Sequence, residues 1–189
     1  MRFVGQSEKL EADVLLGCTG AAQLLAIGDY IAAIKDITAG RLGIVLTPTA
    51  ARFGPVPLLE AVADEVIVEI TTANNHISLS RKYQQFVVVP ATANYIAGAA
   101  LGLARNSVEL LTLAMERPTV VVPAMNETMW VKAATQRNVS ALEGDGHIVL
   151  RPTKSSSVYE AASRSLRFAL GAAGPIEVAS AVYTAITGD

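Results

Sequence analysis

The fold the sequence predicts is α/β: a doubly wound parallel sheet with helices on both faces. Short β-branched or leucine runs alternate with longer alanine-rich stretches, the rhythm of repeated strand–helix–strand units. Four of those runs end in small or polar residues. A length of 189 residues, with no internal repeat and no linker-like tract, reads as a single domain over 1–189, long enough for a full core.

The elements follow in order. The expected strands are Asp13–Gly17, Leu42–Thr47, Glu65–Ile70, Phe86–Pro90 and Thr119–Val122, each a short apolar run. Between them the expected helices are Ala21–Lys35, Pro57–Ala63, Asn94–Leu103, Val108–Met115 and Glu127–Arg137. The core therefore spans about 13–137. Weaker signals put a strand at His147–Leu150 and a helix at Val158–Leu170, the first of the C-terminal helices of 158–187. The last helix, Pro175–Ile186, begins with Pro in the first turn, where the missing N–H is no loss. The most loop-like stretch is 139–157, with Gly144, Asp145, Gly146, Pro152 and a serine triplet.

Composition bounds the function. Hydrophobic residues make up 51% and charged residues 17%, a surplus of apolar surface that subunit interfaces would consume. A net charge of −2, with no Lys/Arg run, argues against nucleic acid or an anionic membrane as partner. Two histidines and one cysteine, Cys18, cannot build a zinc cluster or an intrachain disulfide, so no metal is expected. The apolar stretch Val14–Ile34 is interrupted by Thr19, Gln23, Asp29 and glycines, too polar to span a bilayer. Ahead of it, Glu8, Glu11 and Asp13 outnumber Arg2 and Lys9, unlike a secretion signal. The expected location is cytoplasmic.

In open sheets of this kind ligands bind beyond the carboxyl ends of the strands. Gly17-Cys18-Thr19-Gly20-Ala21-Ala22 links the first strand to its helix and fits either an anion-binding turn or an ordinary glycine turn. It matches neither the dinucleotide fingerprint nor the nucleoside-triphosphate loop. Thr47-Pro48-Thr49-Ala50 offers hydroxyls at the second tip, with Thr49 equally suited to cap a helix. Pro90-Ala91-Thr92-Ala93-Asn94 combines small residues, which let a flat ring approach, with two polar handles; Asn94 also suits a helix cap. Pro123-Ala124-Met125-Asn126-Glu127-Thr128-Met129-Trp130 places a carboxamide at a strand end beside Met129 and the sole Trp, which is as well suited to core as to substrate. His76 stands in the Asn74–Ile77 loop, and His147 reads as a surface residue. Cys18 has no activating histidine in any protease-like spacing and reads as a small buried residue.

These blocks, in this order, resemble the homo-oligomeric flavin-containing cysteine decarboxylases, over about Asp13–Arg137. Pro123–Trp130 is similar to their P-x-M-N-x-x-M-W signature and Pro90–Asn94 to their P-A-[ST]-A-N block. The resemblance implies a Rossmann-like, flavodoxin-like fold, FMN as cofactor, and a trimer that assembles further into a dodecamer. It implies His76 and Asn126 as catalytic residues, and FMN contacts from Gly17, Thr19, Gly20, Thr47, Thr49, Ala91, Thr92, Asn94 and Met129. His76 would assist deprotonation of the thiol, and Asn126 would hold the carboxylate or the developing enethiolate.

Two branches of the family compete. Phosphopantothenoylcysteine decarboxylases of coenzyme A biosynthesis use a cysteine in the later clamp region, where this chain has Arg151-Pro152-Thr153-Lys154-Ser155-Ser156-Ser157 and no cysteine. Many bacterial members also carry a fused synthetase domain, for which the sequence offers no counterpart. Both points favour oxidative decarboxylation of the C-terminal cysteine of a ribosomally made precursor peptide, giving the aminoenethiol that leads to aminovinyl-cysteine. The precursor peptide is then the partner. The related flavin prenyltransferases fit less well with an intact Pro123–Trp130 block, and phosphatase-inhibiting relatives carry acidic tails not seen here. A plain electron carrier would leave His76 and Asn126 idle. Arg105 departs from the acidic residue that many relatives place before Asn106, and the sequence gives it no role.

Overall fold

The computed structural model describes residues 8–152, 155–160 and 164–188. Strands β1 (Val14–Cys18), β2 (Leu42–Leu46), β3 (Glu65–Ile67), β4 (Gln85–Ala91), β5 (Val120–Pro123) and β6 (Ile148–Val149) form one sheet in the order β3-β2-β1-β4-β5-β6. Every pairing in it is parallel. This is the Rossmann order of the doubly wound sheet, with the winding reversed between β1 and β4. The predicted fold class is the observed one.

The helices are α1 (Ile27–Ile37), α2 (Pro48–Phe53), α3 (Val56–Val62), α4 (His76–Lys82), α5 (Ala93–Ala100), α6 (Ser107–Ala114), α7 (Glu127–Trp130), α8 (Ala133–Gly144) and α9 (Pro175–Thr187). Both faces of the sheet are covered, which is why its strands read as unbroken apolar runs. Along β1, Val14, Leu16 and Cys18 join one core with Tyr30, Ile34, Val178 and Val182 from α1 and α9. Leu15 joins the other, with Leu79, Ile96, Val108, Leu111 and Leu142 from α4, α5, α6 and α8. Burying each large aliphatic side chain contributes about 1.5–3 kcal/mol, so two such layers hold the strand tips rigidly.

Polar residues at the amino ends of the strands serve the fold. The Asp13 carboxylate accepts the Arg41 N–H at 2.6 Å, and Asp64 accepts that of Leu42 at 2.7 Å. A Schellman motif closes α5: Gly102, at φ +64, donates to Ala99, and Leu103 donates to Gly98.

Three expectations need correction. The helix expected over Ala21–Lys35 opens with a 3-10 turn, Ala22–Ala26, before α1 begins. The helix expected over Glu127–Arg137 is two helices, and α8 runs on to Gly144, so the start of the supposed loop 139–157 is helical. The expected helix Val158–Leu170 is instead an antiparallel hairpin of β7 (Ser155–Glu160) and β8 (Ser165–Leu170). The serine triplet followed by Val158 and Tyr159 disfavours helix, and Leu166, Phe168 and Leu170 recur with the period of a strand. Residues 153–154 and 161–163 of that stretch lie outside the described residues.

Candidate functional site

The polar strand tips converge at the carboxyl edge of the sheet, around the winding reversal. Thr19, just past β1, is 2% exposed. Its N–H donates to the Pro90 carbonyl at 3.1 Å and its hydroxyl to the same oxygen at 2.8 Å. That hydroxyl also accepts the Thr92 N–H at 2.9 Å and lies 3.2 Å from the Thr92 hydroxyl. One side chain thus laces β1 to β4. The Thr47 N–H donates to Cys18 at 3.0 Å and the Ala124 N–H to Ala91 at 2.9 Å, extending the assembly to β2 and β5.

Helices start from these tips, and their caps explain much of the motif chemistry. Thr47 caps α2 by accepting the Ala50 N–H at 3.2 Å, Thr92 caps α5 by accepting that of Tyr95 at 3.3 Å, and Asn126 caps α7 by accepting that of Met129 at 2.8 Å. The caps expected at Thr49 and Asn94 therefore belong to Thr47 and Thr92, each two residues earlier. In α2 the reason is Pro48, whose fixed φ suits the first helical position and makes Thr47 the cap.

Freed from capping, Asn94 is exposed, as are Asn126 and Met129, whereas Trp130 is buried in the second core. A Cβ on Gly20 would collide with the Thr49 side chain, so the first turn closes directly on α2 and only glycine fits there. Gly17 is different. It lies inside β1, where a Cβ would sit 2.8 Å from Phe86 Cζ, so its glycine serves the packing of the core. Ala91, expected beside the ring, is fully buried at the end of β4 and belongs to the second core. The rim of Gly20, Thr49, Asn94 and Asn126 combines a small residue with hydroxyl and carboxamide groups. That set fits a planar ring bearing a polar, anionic tail.

His76 is the first residue of α4, a helix the sequence did not announce, and Asn75 caps it by accepting the Ser78 N–H at 3.0 Å. The far end of α4 is anchored on β3, where Lys82 pairs with Glu65 at 2.5 Å and the Tyr83 hydroxyl donates to the same carboxylate. Burial pushes the Glu65 carboxyl up, but the hydrogen bonds from Lys82 and Tyr83 outweigh it and hold the group below its ordinary range. Tyr83 fits there because Gly43 of β2 has no side chain. Thus α4 stands on the β2–β3 side, whereas Asn126 follows β5. The strands β3 and β5 are four places apart in the sheet, about 19 Å at ordinary strand spacing. Among the described residues no hydrogen bond joins His76 to Asn126.

The two remaining candidates resolve clearly. Cys18 is fully buried and its thiol is pushed up to about 12 by burial, the state of an inert core residue. His147 is half-buried rather than a surface bystander: its Nδ1 accepts the Thr119 N–H at 3.1 Å at the start of β5. Burial draws its pKa below 6.5, against the pull of Asp145. The sequence also passed over the Asn75 cap and the Glu65–Tyr83 anchor; only the Asn-x-x-Ser spacing at 75–78 was there to signal the first.

Residues 4–167 match the family model described as Flavoprotein. The chain belongs to the Flavoprotein family. It is 31% identical to the mersacidin decarboxylase of Bacillus sp. (strain HIL-Y85/54728) over 144 residues, covering 75% of this flavoprotein and 74% of that enzyme. The solved structure of MrsD from Bacillus sp. HIL-Y85/54728 superposes with a TM-score of 0.78 at 27% identity, covering 93% of this chain and 96% of MrsD. SpaF, an FMN-dependent cysteine decarboxylase, gives a TM-score of 0.75 at 30% identity over 94% of this chain and 97% of SpaF. The bifunctional coenzyme A biosynthesis protein CoaBC of Escherichia coli (strain K12) is 29% identical over 76% of this chain, which spans 36% of it. The expected family, the FMN cofactor and the cysteine-decarboxylating enzyme class are borne out by these relatives. No helix among the described residues is long and apolar enough to cross a membrane.

Proposed function

We propose that this flavoprotein oxidatively decarboxylates the C-terminal cysteine of a ribosomally made precursor peptide, releasing CO2 and an aminoenethiol. The observation that carries the reading is the lacing of the Thr92–Asn94 and Asn126 tips into one rim at the winding reversal, in a chain 31% identical to a mersacidin decarboxylase. Bound FMN supplies the two-electron oxidant that such a reaction needs. Asn94, Thr49 and the Gly20 turn would hold it, with Met129 walling the site.

The protein's own part is binding and proton handling. The Asn126 side-chain oxygen is occupied by the Met129 N–H, so its carboxamide nitrogen is the group that would donate to the substrate carboxylate, and then to the enethiolate as charge develops there. The cap also fixes the direction of that donor. His76, at the amino end of an anchored helix, would take the thiol proton. The apolar composition is consistent with a homo-oligomer in which one copy supplies His76 and its neighbour Asn126.

The test uses purified holoprotein and short peptides ending in cysteine. Loss of CO2 and two hydrogens by mass spectrometry is the expected outcome, with His76→Asn retaining flavin but losing turnover at least about a hundredfold. A fully active His76→Asn protein would remove that residue from the reaction. The likeness to CoaBC supports phosphopantothenoylcysteine as a second substrate class. Turnover of that compound, with cysteine-ending peptides inert, would decide for it; the lack of any cysteine after Cys18 weighs against it.

A further inference from the structure

The Arg105 side chain ties together the two helices that follow the Pro90–Asn94 tip. It sits in the connection between α5 and α6, and its partner Glu109 is 0% exposed. The guanidinium meets that carboxylate with two nitrogens, Nη2 to Oε1 at 2.6 Å and Nε to Oε2 at 3.1 Å. The Arg105 backbone N–H adds a third bond to Oε2 at 2.9 Å. Asn106 caps α6 and accepts the Glu109 N–H at 3.1 Å. The result resembles a capping box in which the glutamate reaches one residue further back. A fork held this firmly has little freedom left, and its Nη2 also donates to the Asn94 carbonyl at 3.2 Å.

The space for this arrangement is provided by Gly98 of α5, where a Cβ would collide with both Arg105 Nη2 and the Glu109 carboxylate. Glycine is a poor helix former, so its place mid-helix is explained by the ion pair it admits. The carbonyl that Arg105 reaches belongs to the first turn of α5, directly after the Thr92 cap. That turn carries the exposed Asn94 side chain.

We propose that Arg105 is a positioning residue for FMN binding: through Glu109 and the Asn94 carbonyl it sets the first turn of α5, and with it the Asn94 side chain at the cofactor. The inference rests on the reading of Thr92–Asn94 as a flavin contact. Lysine can keep the charge opposite Glu109, but it lacks the planar fork that serves the carboxylate and the carbonyl together.

The experiment follows FMN release from holoprotein after dilution, by flavin fluorescence, together with the shape of the visible flavin band and the Tm. Two variants are compared with the parent: Arg105→Lys, and the charge-free pair Arg105→Met/Glu109→Leu, which avoids leaving Glu109 buried alone. Release about tenfold faster in both, with an altered band and a Tm near that of the parent, is the expected result. Unchanged release and band in both variants, while Asn94→Ala does accelerate release, would overturn the inference and leave the pair a stabilising clamp. Faster release only in proportion to a falling Tm would overturn it equally. If Asn94→Ala itself leaves release unchanged, the flavin reading of the Thr92–Asn94 block fails first and takes this inference with it.

Discussion

Thr19 shows how a residue that looks like a ligand group in the sequence can be spent on building the site. Its hydroxyl donates to Pro90 and accepts from Thr92, and the side chain is 2% exposed. Removing that oxygen leaves the part-buried Thr92 N–H without its partner, a loss of about 1 kcal/mol. Thr19→Val, which keeps the shape, is therefore expected to lower the Tm and to loosen the β1–β4 junction, whereas Thr19→Ser restores most of the loss. Calorimetry on the three proteins checks this; equal Tm values for Val and Thr would show the lacing to be idle. The contrast with Asn126 is instructive. Its cap occupies the oxygen alone, so the same side chain can both start α7 and keep a donor for a ligand.

At the scale of elements, Gly98 gives the sharpest test. By helix propensity alone, alanine should stabilise α5 by up to about 1 kcal/mol. The structure reverses the sign, because the added carbon collides with the Arg105–Glu109 pair. Gly98→Ala is expected to destabilise by about 1–3 kcal/mol, read from urea unfolding; a gain in stability would mean that the pair shifts aside freely. The central strands were legible in the sequence because both faces of the sheet are buried and the runs at 14–16, 42–46, 86–89 and 120–122, built of Val, Leu and Ile with Gly43 and Phe86, have no polar interruption. The hairpin β7–β8 was missed because a strand period shows in the sequence on only one of its two strands, at Leu166, Phe168 and Leu170. The start of α4 was hidden because Asn74-Asn75-His76 is polar and its apolar anchor, Leu79, stands alone. The candidate site was legible as blocks, since each tip carries its own composition. The division of labour within each block was not, because which oxygen caps a helix depends on backbone angles that composition does not encode.

For the whole molecule, protonation of His147 links acidity to stability. The unfolded side chain titrates near 6.5, and burial lowers the folded value despite Asp145. The unfolded chain therefore binds the proton first, and the contribution is complete above about pH 6.5 and lost as pH falls below it. His147→Gln, which offers an acceptor but no titrating ring, should flatten the fall of Tm over that range. A second whole-molecule test concerns assembly. His76 and Asn126 follow strands four places apart, so a site that uses both is most directly built from two copies of the chain. Inactive His76→Asn and Asn126→Ala proteins, co-expressed so that their subunits mix at random, then regenerate intact sites wherever the two sound residues meet. With equal amounts about a quarter of the sites are sound, and turnover should return to about that fraction of the parent's. A mixed assembly as dead as its components, with mixing verified by two affinity tags, would place both residues in one subunit and overturn the shared site.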